Sequence, residues 1–129
     1  MDGGIKDLAS YRLERAKEDL ESAKRELSMG DYRLALNRSY FAIFHGLRAV
    51  NALDDFDSSK HSGVIAHFNQ YHVKNGDFPR AISSQIASAM SMRQKSDYDD
   101  FYIASKKDAT EQTETAEYII KLISEFIYK

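Results

Sequence analysis

Apolar residues recur at intervals of three and four positions through most of this chain, and that spacing is typical of one face of an α-helix. Only one proline and six glycines interrupt the 129 residues, and the alternation of apolar and polar residues that marks a strand is missing. The clearest seam lies between residues 31 and 51 and consists of Leu36, Tyr40, Ile43, Leu47 and Val50. The sequence therefore predicts an all-α protein.

Glycines and capping residues divide the pattern into four long helices and one shorter one. The predicted helices are Ile5 or Ser10 to Met29, Asp31 to about Leu53, Lys60 to Lys74, Asp77 to Arg93 or Lys95, and Ser105 to about Ile127. The expected N-caps are Asp31, Ser58 or Ser59, Asp77 and Ser105. Residues 96–102 are expected to form an ordered loop. The short links favour an up-and-down helical bundle, and the length favours one domain over residues 1–129.

Composition narrows the classes of protein to which the chain can belong. Cysteine is absent, which excludes disulfides, a thiolate nucleophile and cysteine-based zinc sites. The first ten residues lack the apolar core of a signal peptide, and no apolar run approaches the roughly 18 residues that span a membrane. We therefore expect a soluble, cytoplasmic protein with no membrane partner. Residues 31–95 are basic and contain all four histidines, so they form either a surface for a polyanion or an ordinary solvated face.

A second stripe runs beside the apolar seam of the second predicted helix and carries the polar pair that suggests a function. It consists of Ala35, Arg38, Ala42, His45 and Ala49. Histidine moves protons near neutral pH, and the arginine fork matches phosphate oxygens. Together they suit phosphodiester chemistry without a metal, with His45 as acid or base and Arg38 stabilising charge on phosphorus. The alternative is that Arg38 pairs with an acid while His45 hydrogen-bonds in the core.

The spacing of Arg38 and His45 suggests that a single copy of the chain does not complete the site. The two residues lie two helical turns apart, about 10.5 Å along the axis, and helical side chains lean toward the N-terminus. Arg38 therefore leans away from His45. Two copies of the helix packed antiparallel about a two-fold axis would bring Arg38 of one copy near His45 of the other. We accordingly expect a composite site at a homodimer interface.

Other kinds of site find little support in the sequence. His61, His67 and His72 differ by six and five residues, so on one regular helix they would point in different directions. Neither a glycine-rich phosphate-binding loop nor the nucleophile elbow of a serine triad occurs. We therefore expect no metal site and no cofactor.

Three blocks of the sequence resemble HEPN domains of bacteria and archaea. The blocks are NRSYFAIFHGLRAV, with Arg38 and His45 in an Arg-x(4–6)-His arrangement, KHSGVI from Lys60, and RQKSDYD from Arg93. The resemblance spans about residues 8–128. It implies a dimeric helical bundle that is often encoded beside a minimal nucleotidyltransferase as a toxin–antitoxin pair. Catalytic members cleave RNA without a metal and leave a cyclic phosphate, whereas the alternative is a non-catalytic module that binds a nucleotide or the nucleotidyltransferase.

The resemblance also implies roles for particular residues. Arg38 would bind the phosphate and stabilise the transition state, and His45 would be the acid or base. Many active members have Asn, Asp or His directly after the arginine, whereas Ser39 stands here. We expect Ser39 and His61 to contact the substrate, although a capping or packing role explains His61 equally well. A further set is expected to hold the bundle together, partly through an ion pair and a buried phenol: Tyr40, Arg93, Asp97 and Tyr98.

Overall fold

The computed structural model describes residues 2–129, with side chains described from residue 4 onward. Its helices are α1 (Asp2–Ser28), α2 (Tyr32–Ala52), α3 (His61–Phe68), α4 (Ala81–Tyr98) and α5 (Lys106–Ile127). A single π-helical turn, Asn69–Val73, continues α3 and is called the π-turn below. No strand occurs over residues 2–129, and the predicted all-α bundle of four long helices and one shorter helix is confirmed. None of the described helices combines the length and the apolar character needed to cross a membrane.

Helix α2 is the centre of the bundle, because it contacts each of the other four helices. Its predicted apolar seam is confirmed, since none of the five side chains is more than 1% exposed. The three alanines of the second stripe are completely buried as well. They allow close packing around α2, and they leave only the polar members of that stripe in contact with water.

Helices α2 and α5 approach each other closely at Gly46. A Cβ added to Gly46 would come within 2.9 Å of the Cδ1 atom of Ile123 and 3.0 Å of that of Ile120, so only glycine fits without a shift. Nearby, the Gln112 side chain donates hydrogen bonds to the Leu36 carbonyl at 2.9 Å and to the Ser39 hydroxyl at 2.8 Å. These contacts fix the position of α2 against α5.

Two of the predicted helix starts are confirmed by their caps. Gly30 adopts a φ of 82°, which glycine adopts without strain, and the Asp31 carboxylate then accepts a hydrogen bond from the Leu34 amide at 3.0 Å. Ser105 caps α5 by accepting from the Asp108 amide at 3.0 Å. At α3 the arrangement differs, since Lys60 occupies the cap position and the Ser58 hydroxyl accepts from the Lys60 amide at 3.2 Å.

Helix α4 differs from its prediction at both ends. It begins at Ala81 with Arg80 in the cap position, and Asp77 does not cap it because the carboxylate pairs with His72 Nδ1 at 3.0 Å. It ends at Tyr98, so the first three residues of the expected loop are helical. Arg93 and Asp97 form an ion pair four residues apart, and such a pair favours continuation of the helix.

The π-turn overturns the expectation that His67 and His72 point in different directions. The Lys74 amide donates to the Asn69 carbonyl five residues earlier at 2.9 Å, which widens this turn relative to an α-helix. As a result both imidazoles reach the same carboxylate oxygen of Asp54, His67 Nε2 at 2.9 Å and His72 Nε2 at 2.6 Å. The third histidine, His61, belongs to a different environment, described next.

Candidate functional site

The polar stripe of α2 faces a matching polar stripe of α1. On α1 the residues are Arg12, Arg15 and Asp19, spaced by three and four positions, and on α2 they are Arg38, His45 and Arg48. Two contacts join the stripes directly: His45 Nε2 lies 3.6 Å from Asp19 Oδ2, and Arg12 donates to the Arg48 carbonyl at 3.4 Å. These six residues are called the arginine–histidine face below.

His45 is largely buried in this face, and neither of its ring nitrogens makes a hydrogen bond within residues 4–129. The side chain is 16% exposed, and its Nδ1 atom is buried without a hydrogen-bond partner among the described residues. The 3.6 Å between Nε2 and Asp19 is longer than a hydrogen bond. Buried polar groups are nearly always paired, so an unpaired imidazole in a cationic setting is a candidate for function. The alternative of a core histidine satisfied by hydrogen bonds does not describe His45.

The surroundings of His45 keep the ring neutral. Burial is the main cause that lowers its pKa, to about 4, and the charges of Arg15, Arg48, Arg12 and then His61 lower it further. Burial raises the pKa of Asp19, against the opposing charges of Arg38 and Arg15. At pH 7 the imidazole therefore carries one proton and can accept another, and an anion that offsets the arginine charges would raise its pKa.

The arginines of this face divide into two that are paired with an acid and two that are not. The Asp57 carboxylate accepts a hydrogen bond from the Arg12 guanidinium at 3.1 Å and another from the Arg48 guanidinium at 2.9 Å. The hydrogen bond from Arg48 is the largest cause that lowers the pKa of Asp57. Within the described part of the chain, neither Arg15 nor Arg38 lies within 4.0 Å of a carboxylate oxygen. Arg38 instead donates to the Asn37 side-chain oxygen at 3.1 Å. Its guanidinium is therefore available to bind an anion.

His61 lies at the first residue of α3, beside the arginine–histidine face. Its Nδ1 atom is 2.9 Å from the Tyr40 hydroxyl, and its ring stacks on Phe44 with centroids 4.1 Å apart. Burial raises the pKa of Tyr40 to about 12, so the phenol keeps its proton and can donate it to Nδ1. His61 also lines an open cleft of about 510 Å³ together with Arg48 and Ser58. His61 and His45 therefore both pack on Phe44, and Tyr40 is the residue that orients the ring of His61.

Arg93 and Asp97 act as a brace between α4 and α2. Arg93 Nε lies 3.0 Å from Asp97 Oδ2, although its N–H does not point along that line, and Asp97 also accepts from the Asn37 side chain at 3.1 Å. The Arg93 guanidinium covers the ring of Phe41 at 5.1 Å from its centroid. The predicted ion pair is present, but the predicted buried phenol is wrong because Tyr98 is 73% exposed.

Arg38 and Ser39 are neighbours in sequence but lie in opposite environments. Arg38 lines an open cleft of about 560 Å³ with Asn37, Asp97 and Tyr98. Ser39 is completely buried; its hydroxyl donates to the Leu36 carbonyl at 3.1 Å and accepts from Gln112. The expectation that Ser39 contacts substrate therefore has to be corrected, because the side chain is enclosed between α2 and α5.

Sequence reasoning missed the partners that α1 contributes to the site. Arg12, Arg15 and Asp19 follow the same spacing of three and four residues as the polar stripe of α2, and this repeat was the available signal. Arg48 continues the α2 stripe beyond His45 at a spacing of three. The sequence does not show the register in which α1 packs on α2, and this register brings Asp19 close to His45.

The arrangement can bind an anion and move a proton. Three arginines, Arg12, Arg15 and Arg48, lie around the neutral imidazole of His45. The charge of Arg38, farther along α2, acts on Asp19. Guanidinium groups bind phosphate oxygens, and a neutral imidazole can take a proton from a hydroxyl group.

Comparison with known proteins agrees with this fold. The family model described as HEPN domain matches residues 9–126. A Methanocaldococcus jannaschii protein named "Putative toxin MJ0605" is 31% identical over 125 residues, which cover 97% of this chain and 90% of that protein. A "UPF0332 protein" of Thermotoga maritima is 28% identical over 120 residues, which cover 93% of this chain and 91% of that protein. Since the family model extends over nearly the whole helical bundle, the chain belongs to the HEPN family.

Proposed function

We propose that this protein is a metal-independent ribonuclease of the HEPN toxin type, with Arg38 and His45 as its catalytic residues. The observation that carries the proposal is the neutral imidazole of His45, which lies among three arginines and whose buried Nδ1 has no hydrogen-bond partner among the described residues. Relatives that carry the name of a toxin support the broader assignment. RNA supplies both groups that such a site uses, a phosphate for the arginines and a 2′-hydroxyl as the nucleophile.

The proposed reaction follows from the charges of the site. His45 takes the proton of the 2′-hydroxyl while that oxygen attacks phosphorus, the bond to the 5′-oxygen breaks, and a cyclic phosphate forms. The leaving oxygen takes a proton from the imidazolium or from water. Arg38 stabilises the charge that develops on the phosphate oxygens. Because the bound phosphate opposes the arginine charges, it raises the pKa of His45 toward the value at which a base works best.

The site we propose is shared between two copies of the chain. Arg38 and His45 are two turns apart on α2, and Phe41 lies between them on the same face with its ring partly exposed. In an antiparallel α2 pair, the two Phe41 rings would meet near the two-fold axis. Each Arg38 would then approach the partner's copy of the catalytic histidine. His61 would contact the substrate from the adjacent cleft.

One observation favours a second function: the pKa of His45 is lowered far below its ordinary value. With a pKa of about 4, the imidazole of the free protein carries no spare proton at pH 7 and cannot act as an acid. A site of this kind can bind a nucleotide, or a partner such as a minimal nucleotidyltransferase, without turnover. This module is the competing proposal.

RNA cleavage in excess EDTA separates the two functions. Wild-type protein should yield cyclic-phosphate ends, and His45→Ala should lose at least about 100-fold in rate, the usual contribution of a general acid or base. Arg25→Ala is the matched control, because Arg25 is an exposed arginine in the last turn of α1, away from this face. Absence of cleavage by folded wild-type protein on several RNA classes would favour the binding module.

Mixing two inactive variants tests the shared site. Arg38→Ala and His45→Ala proteins, unfolded together and refolded, should form heterodimers in which one of the two sites is intact. Random pairing predicts recovery of about a quarter of wild-type activity. If each site lies within one chain, the mixture will stay as inactive as its components.

A further inference from the structure

A second histidine cluster lies outside the arginine–histidine face and has the donor set of a metal site. Asp54 follows the end of α2, His67 belongs to α3, and His72 belongs to the π-turn. One potential ligand atom from each residue lies within 4.8 Å of the other two. The cluster depends on the π-turn, because the wider turn places two histidines five residues apart on one side of the helix.

The cluster is built into the fold rather than scattered over the surface. The His72 side chain is 7% exposed and that of His67 is 12% exposed, while the Asp54 side chain is 33% exposed and opens the cluster to solvent. The ring of His67 is stacked on Phe56 with centroids 3.9 Å apart, so its orientation is fixed. His72 packs between Phe68 and Phe126.

Asp77 orients His72 as an outer carboxylate orients a metal-bound histidine. His72 Nδ1 lies 3.0 Å from Asp77 Oδ2, so this nitrogen donates its proton to the carboxylate. The other nitrogen, Nε2, points toward Asp54, and it can offer a lone pair to a cation in place of its hydrogen bond to that carboxylate. Carboxylate–histidine pairs of this kind fix the tautomer and raise the basicity of the ligand.

Three potential ligand atoms lie close together: Asp54 Oδ2, His67 Nε2 and His72 Nε2. Asp54 Oδ2 lies 2.6 Å from His72 Nε2 and 2.9 Å from His67 Nε2. Protons on both nitrogens would relieve the repulsion, and so would one cation. Bond lengths to zinc of about 2.0–2.1 Å imply ligand atoms about 3.3 Å apart in a tetrahedral site, and both distances from Asp54 to the histidine nitrogens are within about 0.7 Å of that value.

We propose that Asp54, His67 and His72 bind a divalent transition-metal ion, with Zn²⁺ as the reference ligand and Asp77 as the residue that positions His72. Two imidazoles and one carboxylate suit Zn²⁺ and its neighbours rather than Mg²⁺ or Ca²⁺, which prefer oxygen ligands. Water fills the remaining coordination. The ion ties the end of α2 to the π-turn, so its role is to stabilise the fold, and the inference does not depend on RNA cleavage.

Zinc titration of the protein without a histidine tag, after removal of metals with EDTA, tests the site. Isothermal titration should show one Zn²⁺ per chain, and the Tm should rise by roughly 10 °C at 100 times the Kd, because the ion binds only the folded state. Co²⁺ should give the visible absorption of a low-coordinate site with nitrogen and oxygen ligands.

Substitutions distinguish this site from incidental zinc binding. His67→Gln and Asp54→Asn, which alter the more exposed ligands and should still fold, are expected to weaken binding at least tenfold. Asp77→Asn should weaken it by about 10–100-fold, as loss of an outer carboxylate does in known metal sites. His61→Gln is the matched control and should bind as the wild type does. The proposal is overturned if wild-type protein binds no Zn²⁺ at 100 times the protein concentration, or if His67→Gln and Asp54→Asn bind it as tightly as the wild type.

Discussion

The two histidine environments of this bundle are opposite in design. His45 lies among three arginines, and within residues 4–129 neither of its ring nitrogens has a hydrogen-bond partner. His72 lies between two carboxylates, Asp54 and Asp77, and both of its ring nitrogens are engaged. Both side chains are mostly buried and both approach a carboxylate, so burial alone does not distinguish them.

The difference shows that the neighbours of an imidazole decide which charge it can bind. Around His45 the positive charges lower the pKa and attract an anion, as a phosphodiester requires. Around His72 the two carboxylates suit a metal cation. The same residue type, less than 30 positions apart in one chain, therefore supports two unrelated proposals.

The largest expected effect is the change with pH in the free energy of unfolding that His45 causes. The pKa of His45 is about 4 in the folded protein, below the ordinary value of 6.5, so the unfolded chain binds the proton more readily. Stability from this residue is complete above pH 6.5 and is lost as the pH falls toward 4. The expected loss is about 2–3 kcal/mol.

Urea unfolding at several pH values, of wild-type protein and His45→Gln, measures this loss. The variant should lack the part of the decline that occurs between pH 6.5 and 4. Parallel curves for the two proteins would mean that the imidazole is not held neutral by its surroundings.

Substitution at neutral pH should then separate the two histidines. His72→Ala leaves Asp54 and Asp77 without their shared partner and should lower the free energy of unfolding by about 2 kcal/mol. His45→Gln removes a ring that has no hydrogen bond and should change it by less than about 1 kcal/mol. Urea midpoints at pH 7 in EDTA, with unchanged slopes, provide the measurement. Equal losses in the two variants would contradict the contrast between paired and unpaired rings.

The smallest expected effect concerns a single arginine. Arg15 is the leading charge that lowers the pKa of His45, so Arg15→Gln should raise that pKa by roughly half a unit. An NMR titration of the imidazole protons gives the value. Arg25→Gln, an exposed position farther along α1, should leave the titration unchanged, and a shift there as large as that for Arg15 would argue against a local effect.

Most of the bundle could be predicted from the sequence, because its helices follow local rules. The seam of α2, the cap at Asp31 and the glycine at position 30 are all local signals, and the structure confirms them. The end of α4 was misplaced because no glycine or proline marks it. Asp77 was misassigned because its carboxylate pairs with His72, five residues earlier in the π-turn, instead of capping α4.

The candidate site could be predicted only on the helix that carries its motif. Arg38 and His45 stand out by their spacing on α2, but Asp19 and Arg15 enter through the register of α1, which no local pattern specifies. Ser39 adjoins Arg38 in the chain, and only the packing of α5 shows that it is enclosed. His67 and His72 lie on the same side of the helix because of a π-turn, and a prediction based on 3.6 residues per turn does not include such a turn.

The π-turn also bears on how this chain tolerates change in length. One extra residue in an α-helix can be absorbed in a single wide turn while both flanking segments keep their contacts. Deletion of Gln70, which is exposed in this turn, would leave the two histidines four residues apart, and a regular α-helix also holds that spacing on one side. The histidine pair can therefore survive a deletion at this point, whereas the alignment of Phe78 and α4 behind it would have to adjust.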